Sequence, residues 1–164
     1  RVGVGGWSFD PWDETFYPAG LSKAKQLSHM SRKLTAVEVN ATYYSSFKPD
    51  SWKKWRDETP DGFVFAVKAS RFCTNRKVLA DAGESVQRFV TQGLVELKDR
   101  LGPINWQFMA TKKFDPEAYT LYSYAALEII AAAATATKSL DVTQAAPRFL
   151  TLCHLAREIG RAHV

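Results

Sequence analysis

Six polar residues alternate with apolar ones in short runs of strand-like composition: Glu38, Asn40, Lys68, Asn105, Gln107 and Asp141. In Val37-Glu38-Val39-Asn40-Ala41-Thr42-Tyr43-Tyr44, the side chains of Val37, Val39 and Ala41 point one way and those of Glu38 and Asn40 the other. Phe63, Phe65 and Val67 likewise oppose Val64, Ala66 and Lys68, and Ile104, Trp106 and Phe108 oppose Asn105 and Gln107. Asp141 and Thr143 take the polar side of Ser139 to Thr143. Buried charge without a partner is costly, so Glu38, Lys68 and Asp141 should pair or bind something polar. Glu38 and Lys68 are the catalytic candidates. Glu38 has the chemistry of a general base. Lys68 has that of a general acid, of a clamp for an oxyanion or phosphate, or of an ion-pair partner. The simpler account of the set is a hydrogen-bonded lattice that fixes the strands.

Other chemistries find less support. Glu38 and Asp141 are carboxylates, but no histidine stands at a strand end, so no metal site is expected and no cofactor is called for. Arg71 and Arg76 near Cys73 would favour a thiolate, yet a spectator thiol is the simpler reading. Val2-Gly3-Val4-Gly5-Gly6-Trp7 fits neither the dinucleotide nor the P-loop spacing, so a close neighbour or a ligand accounts better for its glycines. The rings of Trp12, Phe16 and Tyr17 lie in a long loop from Ser8 to Gly20, where packing is favoured over ligand stacking.

These residues need a frame. Strands at 2–7, 37–44, 63–68, 104–108 and 139–143 are separated by helical stretches. Ser22 caps a helix to Lys33, and Pro49-Asp50-Ser51 starts another over Trp52 to Glu58. A loop from Ala69 to Ala82 precedes a long helix from Glu84 to Arg100, whose stripe is Val86, Phe89, Val90, Leu94 and Leu97. Gly102-Pro103 turns the chain, Asp115 caps a helix to Ala134, and a last helix covers Pro147 to Glu158. Strands alternating with helices imply an α/β fold with a parallel sheet. One apolar and one mixed face on four of the five strands favours a barrel over an open sheet, whose strands are apolar on both faces. The expectation is an incomplete TIM-like (β/α) barrel of about five βα units out of eight, over residues 1–158. Strand C-terminal ends then hold the site, at Trp7, Asn40, Lys68, Gln107 and Thr143.

The 164 residues carry a net charge of +5, with basic residues spread along the chain. That balance permits nucleic acid without indicating it. No apolar run spans a bilayer, and the two cysteines, Cys73 and Cys153, fit free thiols in a reducing compartment. A cytoplasmic protein without a membrane partner is expected. Residues 159–164, Ile-Gly-Arg-Ala-His-Val, match one reading frame of a common sequencing-adapter oligonucleotide and are expected to be a non-native tail.

Val2-Gly3-Val4-Gly5-Gly6-Trp7-Ser8, Phe16-Tyr17-Pro18, Val37 to Tyr44, Phe65-Ala66-Val67-Lys68 and Leu101 to Gln107 together resemble the domain of unknown function 72 family of YecE-like proteins. The resemblance covers about the first two-thirds of the chain, the N-terminal portion of the family's pattern. It implies a TIM-barrel-like fold longer than this chain, and no particular reaction. Its characteristic polar positions fall on Glu38, Asn40, Thr42, Tyr44, Lys68 and Gln107, and its aromatic positions on Trp7 and Trp12. Two departures stand out: Thr74 is followed by Asn75 where the family usually shows histidine, and Val142 by Thr143-Gln144 in place of Arg-His. Either the function has diverged or the region beyond about Tyr119 is mistranslated; the Ala-rich run Ala131 to Ala136 accords with the second.

The leading functional expectation is acid/base catalysis on a small sugar-, polyol- or phosphate-like substrate in the barrel mouth. Trp7, Trp12, Asn40, Thr42, Tyr44, Arg71, Gln107 and Asp141 would hold the ligand. Nucleic-acid binding through exposed rings such as Trp52 and Trp55, and a non-catalytic ligand-binding module, are the alternatives.

Overall fold

In the computed structural model, residues 1–111 are described. The strands are β1 (Gly3–Gly5), β2 (Ala36–Val39), β3 (Val64–Lys68) and β4 (Leu101–Asn105), all parallel and in the order β1-β2-β3-β4. Consecutive neighbours joined by right-handed crossovers place every connection on one side of the sheet. A doubly wound sheet reverses its strand order to cover both sides; this one does not. The chain is therefore α/β, an arc of a TIM-like barrel. The expected fifth strand at 139–143, the helices starting at Asp115 and Pro147, and the tail at 159–164 lie outside the described residues.

The connecting helices are α1 (Lys23–Met30), α2 (Pro49–Glu58), α3 (Arg71–Thr74) and α4 (Gly83–Thr91). Val37, Val39, Phe65, Val67 and Ile104 on the sheet form one buried cluster with Leu27, Met30, Trp52, Val86, Phe89, Leu94 and Leu97 from the crossovers. So the apolar strand face meets the helices, as a barrel wall requires. Burying a side chain of this size contributes roughly 1.5–3 kcal/mol, and this cluster is the main force holding the sheet to its helices.

Several boundaries differ from the sequence expectation, each for a local reason. The run from Val37 to Tyr44 leaves the sheet after Val39 and closes into a 3-10 turn, Asn40–Tyr43. The Thr42 hydroxyl, 2.7 Å from the Val39 carbonyl, favours the turn over a continued ladder. The helix expected from Glu84 to Arg100 stops at Thr91, because Gly93 takes φ +116°, and it resumes as a 3-10 segment, Leu94–Arg100. A Cβ at Gly93 would stand 2.9 Å from Pro49 Cα, so the closeness of α2 also demands glycine there. Gly102-Pro103 lies within β4 and not before it. Between the Phe65–Leu101 and Val67–Ile104 pairs, β4 carries an extra residue, and this bulge admits the proline with its side chain exposed. Finally, the loop from Ala69 to Ala82 contains α3 and a 3-10 turn, Leu79–Ala82.

The expectation of exposed tryptophans on α2 is overturned. Trp52 is 0% exposed and Trp55 half-buried. Phe47, Trp52 and Trp55 stack edge to face with centroids 4.9–6.1 Å apart. The Trp52 ring is spent entirely on the core, and Trp55 keeps part of its surface in solvent.

Candidate functional site

The C-terminal ends of β2, β3 and β4 bring Glu38, Lys68 and Asn105 to the face of the sheet that the helices do not cover. Glu38 is paired in register with Ala66, and Lys68 with Asn105. Alternation along β3 then puts Glu38, Ala66, Lys68 and Asn105 on one side. The Asn105 amide donates from Nδ2 to Glu38 Oε1 at 3.2 Å. That bond crosses β3, and the short side chain of Ala66 leaves it room. Glu38 and Lys68 share the face but form no ion pair. Lys68 Nζ lies instead 5.1 Å from the centroid of the Tyr43 ring, a cation–π contact.

The turn after β2 arranges the rest. Thr42 is 1% exposed, and its hydroxyl also lies 2.6 Å from the Lys68 carbonyl. Thr42, expected among the ligand-binding residues, is thus buried where it stands and ties the end of β2 to the end of β3. Asn40 follows the last residue of β2, and its Nδ2 would lie 2.8 Å from a Cβ at Gly5. Glycine at position 5 is what gives that amide its place above β1.

Tyr43 and Tyr44 meet edge to face at 5.0 Å. Tyr44 is 63% exposed, and the Arg71 guanidinium lies 5.8 Å from its centroid. Asn75 donates from Nδ2 to the Tyr43 hydroxyl at 2.9 Å. Tyr43, Asn75 and Asn105 thus join the site although they were not among the expected ligand-binding residues. The signal for Tyr43 lay in Asn40 and Thr42, whose side chains compete with the backbone and so favour a turn over a strand.

Other expected residues sit elsewhere or at the margin. The Trp7 ring packs edge-on against Trp55 at 5.3 Å, and Trp12 against Phe9, Phe16 and Tyr17 at 5.7–6.2 Å. Both indoles pack against the core with one part of the ring and stay partly exposed with the other. Gln107 is exposed, beyond the end of β4, since the strand stops at Asn105. Asp141 lies outside the described residues.

Burial pushes the Cys73 thiol up to about 12, with Arg76 only partly opposing the shift. Desolvation thus overrides the neighbouring cation, and the group is no nucleophile at neutral pH. Among the described residues, no cluster of three or more histidine, cysteine or acidic side chains could hold a metal ion. Among the same residues, no helix is long and apolar enough to cross a membrane.

Comparison with known proteins agrees with this fold. The model of the family described as "Protein of unknown function DUF72" matches residues 1–135. "Leu/Ile/Val-binding protein homolog 1" of Brucella abortus (strain 2308) is 29% identical over 134 residues, 81% of this chain and 36% of that protein. "UPF0759 protein YecE" of Escherichia coli K12 is 28% identical over 110 residues, 67% of this chain and 38% of that protein. The chain thus spans little more than a third of the length of these curated relatives. The crystal structure of a DUF72 family protein from Thermotoga maritima MSB8 superposes with a TM-score of 0.58 at 27% identity, over 76% of this chain and 52% of that one. With the family model matching most of the sequence and a family fold matching the sheet, the chain belongs to the DUF72 family.

Proposed function

We propose that the chain forms part of an acid/base enzyme that holds a small hydroxylated or charged substrate at the ends of β2 to β4. Glu38 is the general base, and Lys68 stabilises the negative charge that develops. The observation that carries this reading is that Glu38 and Lys68 occupy one face at adjacent strand ends without neutralising each other. Glu38 is bonded by the Asn105 amide, and Lys68 rests on the Tyr43 ring. Both groups are partly open to solvent, so each charge can face a ligand. Active sites of this architecture lie at the same end of the strands, where Asn40, Tyr44 and Arg71 add donors and an aromatic wall. A cytoplasmic setting belongs to the reading, since the buried Cys73 thiol suits a reducing compartment.

The test is a thermal-shift screen of polyols, sugars, their phosphates and amino acids against the full chain, followed by turnover assays on each hit. Glu38→Gln should abolish turnover while keeping most of the binding. Hits unaffected by both Glu38→Gln and Lys68→Met would refute the assignment. A non-catalytic binding module is the second reading, favoured by the binding function in the name of the Brucella relative. Saturable binding of leucine without turnover, insensitive to Glu38→Gln, would establish it instead.

A further inference from the structure

We infer that Lys68 and Arg71 form an anchoring subsite for an oxyanion, so that the substrate of the site proposed above carries a phosphate or carboxylate group. The inference rests on that site but makes a separate claim about it. Two cations follow closely on one segment, Lys68 closing β3 and Arg71 opening α3. Two consecutive rings stand beneath them, Tyr43 under the ammonium at 5.1 Å and Tyr44 under the guanidinium at 5.8 Å. The buried Thr42 hydroxyl, on the Lys68 carbonyl at 2.6 Å, fixes one segment against the other. Neither cation has a carboxylate within ion-pair distance among the described residues. The nearby carboxylate, Glu38, is instead engaged by Asn105.

Cation–π contacts orient the two charges without neutralising them, so their hydrogen-bond donors remain for a ligand. Arginine offers a planar fork suited to two oxygens of one anion, and lysine adds a point charge. The Asn75 amide, already on the Tyr43 hydroxyl, fixes that ring at the rim of the same cradle. Of the three roles open to Lys68, the clamp is the one favoured both by Arg71 and by the lack of an acidic partner among the described residues. The uncharged end of the substrate then lies toward Glu38 and Asn105, where its proton would be removed.

Isothermal titration of the full chain with inorganic phosphate, glycerol 3-phosphate and glycerol, at one chloride-balanced ionic strength, tests this. Both phosphates should bind saturably and glycerol should not. Arg71→Gln and Lys68→Gln should each weaken glycerol 3-phosphate by roughly tenfold or more, the scale of one lost charge-assisted hydrogen bond. Circular dichroism would verify that both variants fold. If glycerol binds as tightly as its phosphate and Glu38→Gln alters that binding, the anchoring subsite is wrong while the acid/base site survives. If the phosphates bind through Lys68 and Arg71 but no turnover depends on Glu38, the subsite stands and the catalytic reading falls. Phosphate binding indifferent to both cation variants, or no binding of either phosphate, overturns the inference. So would preferential binding of short single-stranded DNA with a steep salt dependence, which would mark a polyanion partner.

Discussion

The Thr42 hydroxyl meets the main-chain carbonyl of Lys68 at 2.6 Å, joining groups 26 residues apart at the ends of two adjacent strands. The same oxygen is 2.7 Å from the Val39 carbonyl, so one hydroxyl hydrogen serves both acceptors. Thr42→Val keeps the volume and removes the donor. It should cost about 1–3 kcal/mol in urea unfolding, because buried carbonyls lose their partner, and Thr42→Ser should recover part of that loss. An unchanged unfolding midpoint for the valine variant would show that the two strand ends are held by packing alone.

Gly93 carries a second constraint, at the break between α4 and the 3-10 segment. Its φ of +116° strains any other residue, and Pro49 Cα lies 2.9 Å from where a Cβ would be. Backbone cannot yield as a flexible side chain can, so strain and collision add. Gly93→Ala should lower stability by about 1–3 kcal/mol. A thermal midpoint within error of the parent would contradict this.

The alternation of Val37, Glu38 and Val39 was legible because one face is buried and the other is not, and the same holds for Phe65, Ala66 and Val67. The barrel class follows from such faces together with the alternation of strands and helices. Legibility ended where a side chain rewrote the backbone. Thr42 turned the chain after Val39, Gly93 split a long apolar stripe into two helices, and the β4 bulge took in a proline that marks a turn elsewhere. Tyr43 was hidden for the same reason, since its direction is set by the turn and not by strand alternation. Composition separates a tryptophan at a ligand from one in the core poorly, because both uses reward a large ring. The contact with Trp55 shows where one edge of Trp7 packs.

Ala66 is the residue over which Asn105 reaches Glu38. A branched side chain there would fill the path between β2 and β4 on that face. Ala66→Leu should separate the Asn105 amide from the Glu38 carboxylate and abolish turnover on any substrate found, as Asn105→Leu would. Amide side-chain resonances report the contact directly. An Asn105 signal unmoved in Ala66→Leu would mean that the bond does not depend on a small residue at 66.

Cys73 gives a prediction at alkaline pH. Its thiol is raised from an ordinary 9.0 to about 12 by burial, so the folded chain retains a proton that the unfolded chain loses. The stabilisation is complete below about pH 9 and falls as pH rises through the folded value. A thiol reagent at pH 8 should therefore label Cys73 only after urea is added, at a rate that follows unfolding. Rapid labelling of this position in the native chain, read by peptide mass mapping, would contradict the burial.

Asn75 stands where the family resemblance implies a histidine, and its Nδ2 donates to the Tyr43 hydroxyl at 2.9 Å. Asn75→His tests what that exchange does. An imidazole can keep a donor on the hydroxyl, but it would titrate near about 6.5 when unperturbed. Lys68 Nζ lies over the same ring, so the imidazolium would form beside an existing positive charge. Repulsion lowers the folded-state value below the unfolded one, and stability is then lost as pH falls. The variant should match the parent above about pH 7.5 and melt at progressively lower temperature toward pH 5, relative to the parent at each pH. Phosphate should reverse that trend if it sits between the two cations, since an anion there favours the charged imidazole. Parallel melting curves for variant and parent across that range would show that position 75 does not feel Lys68.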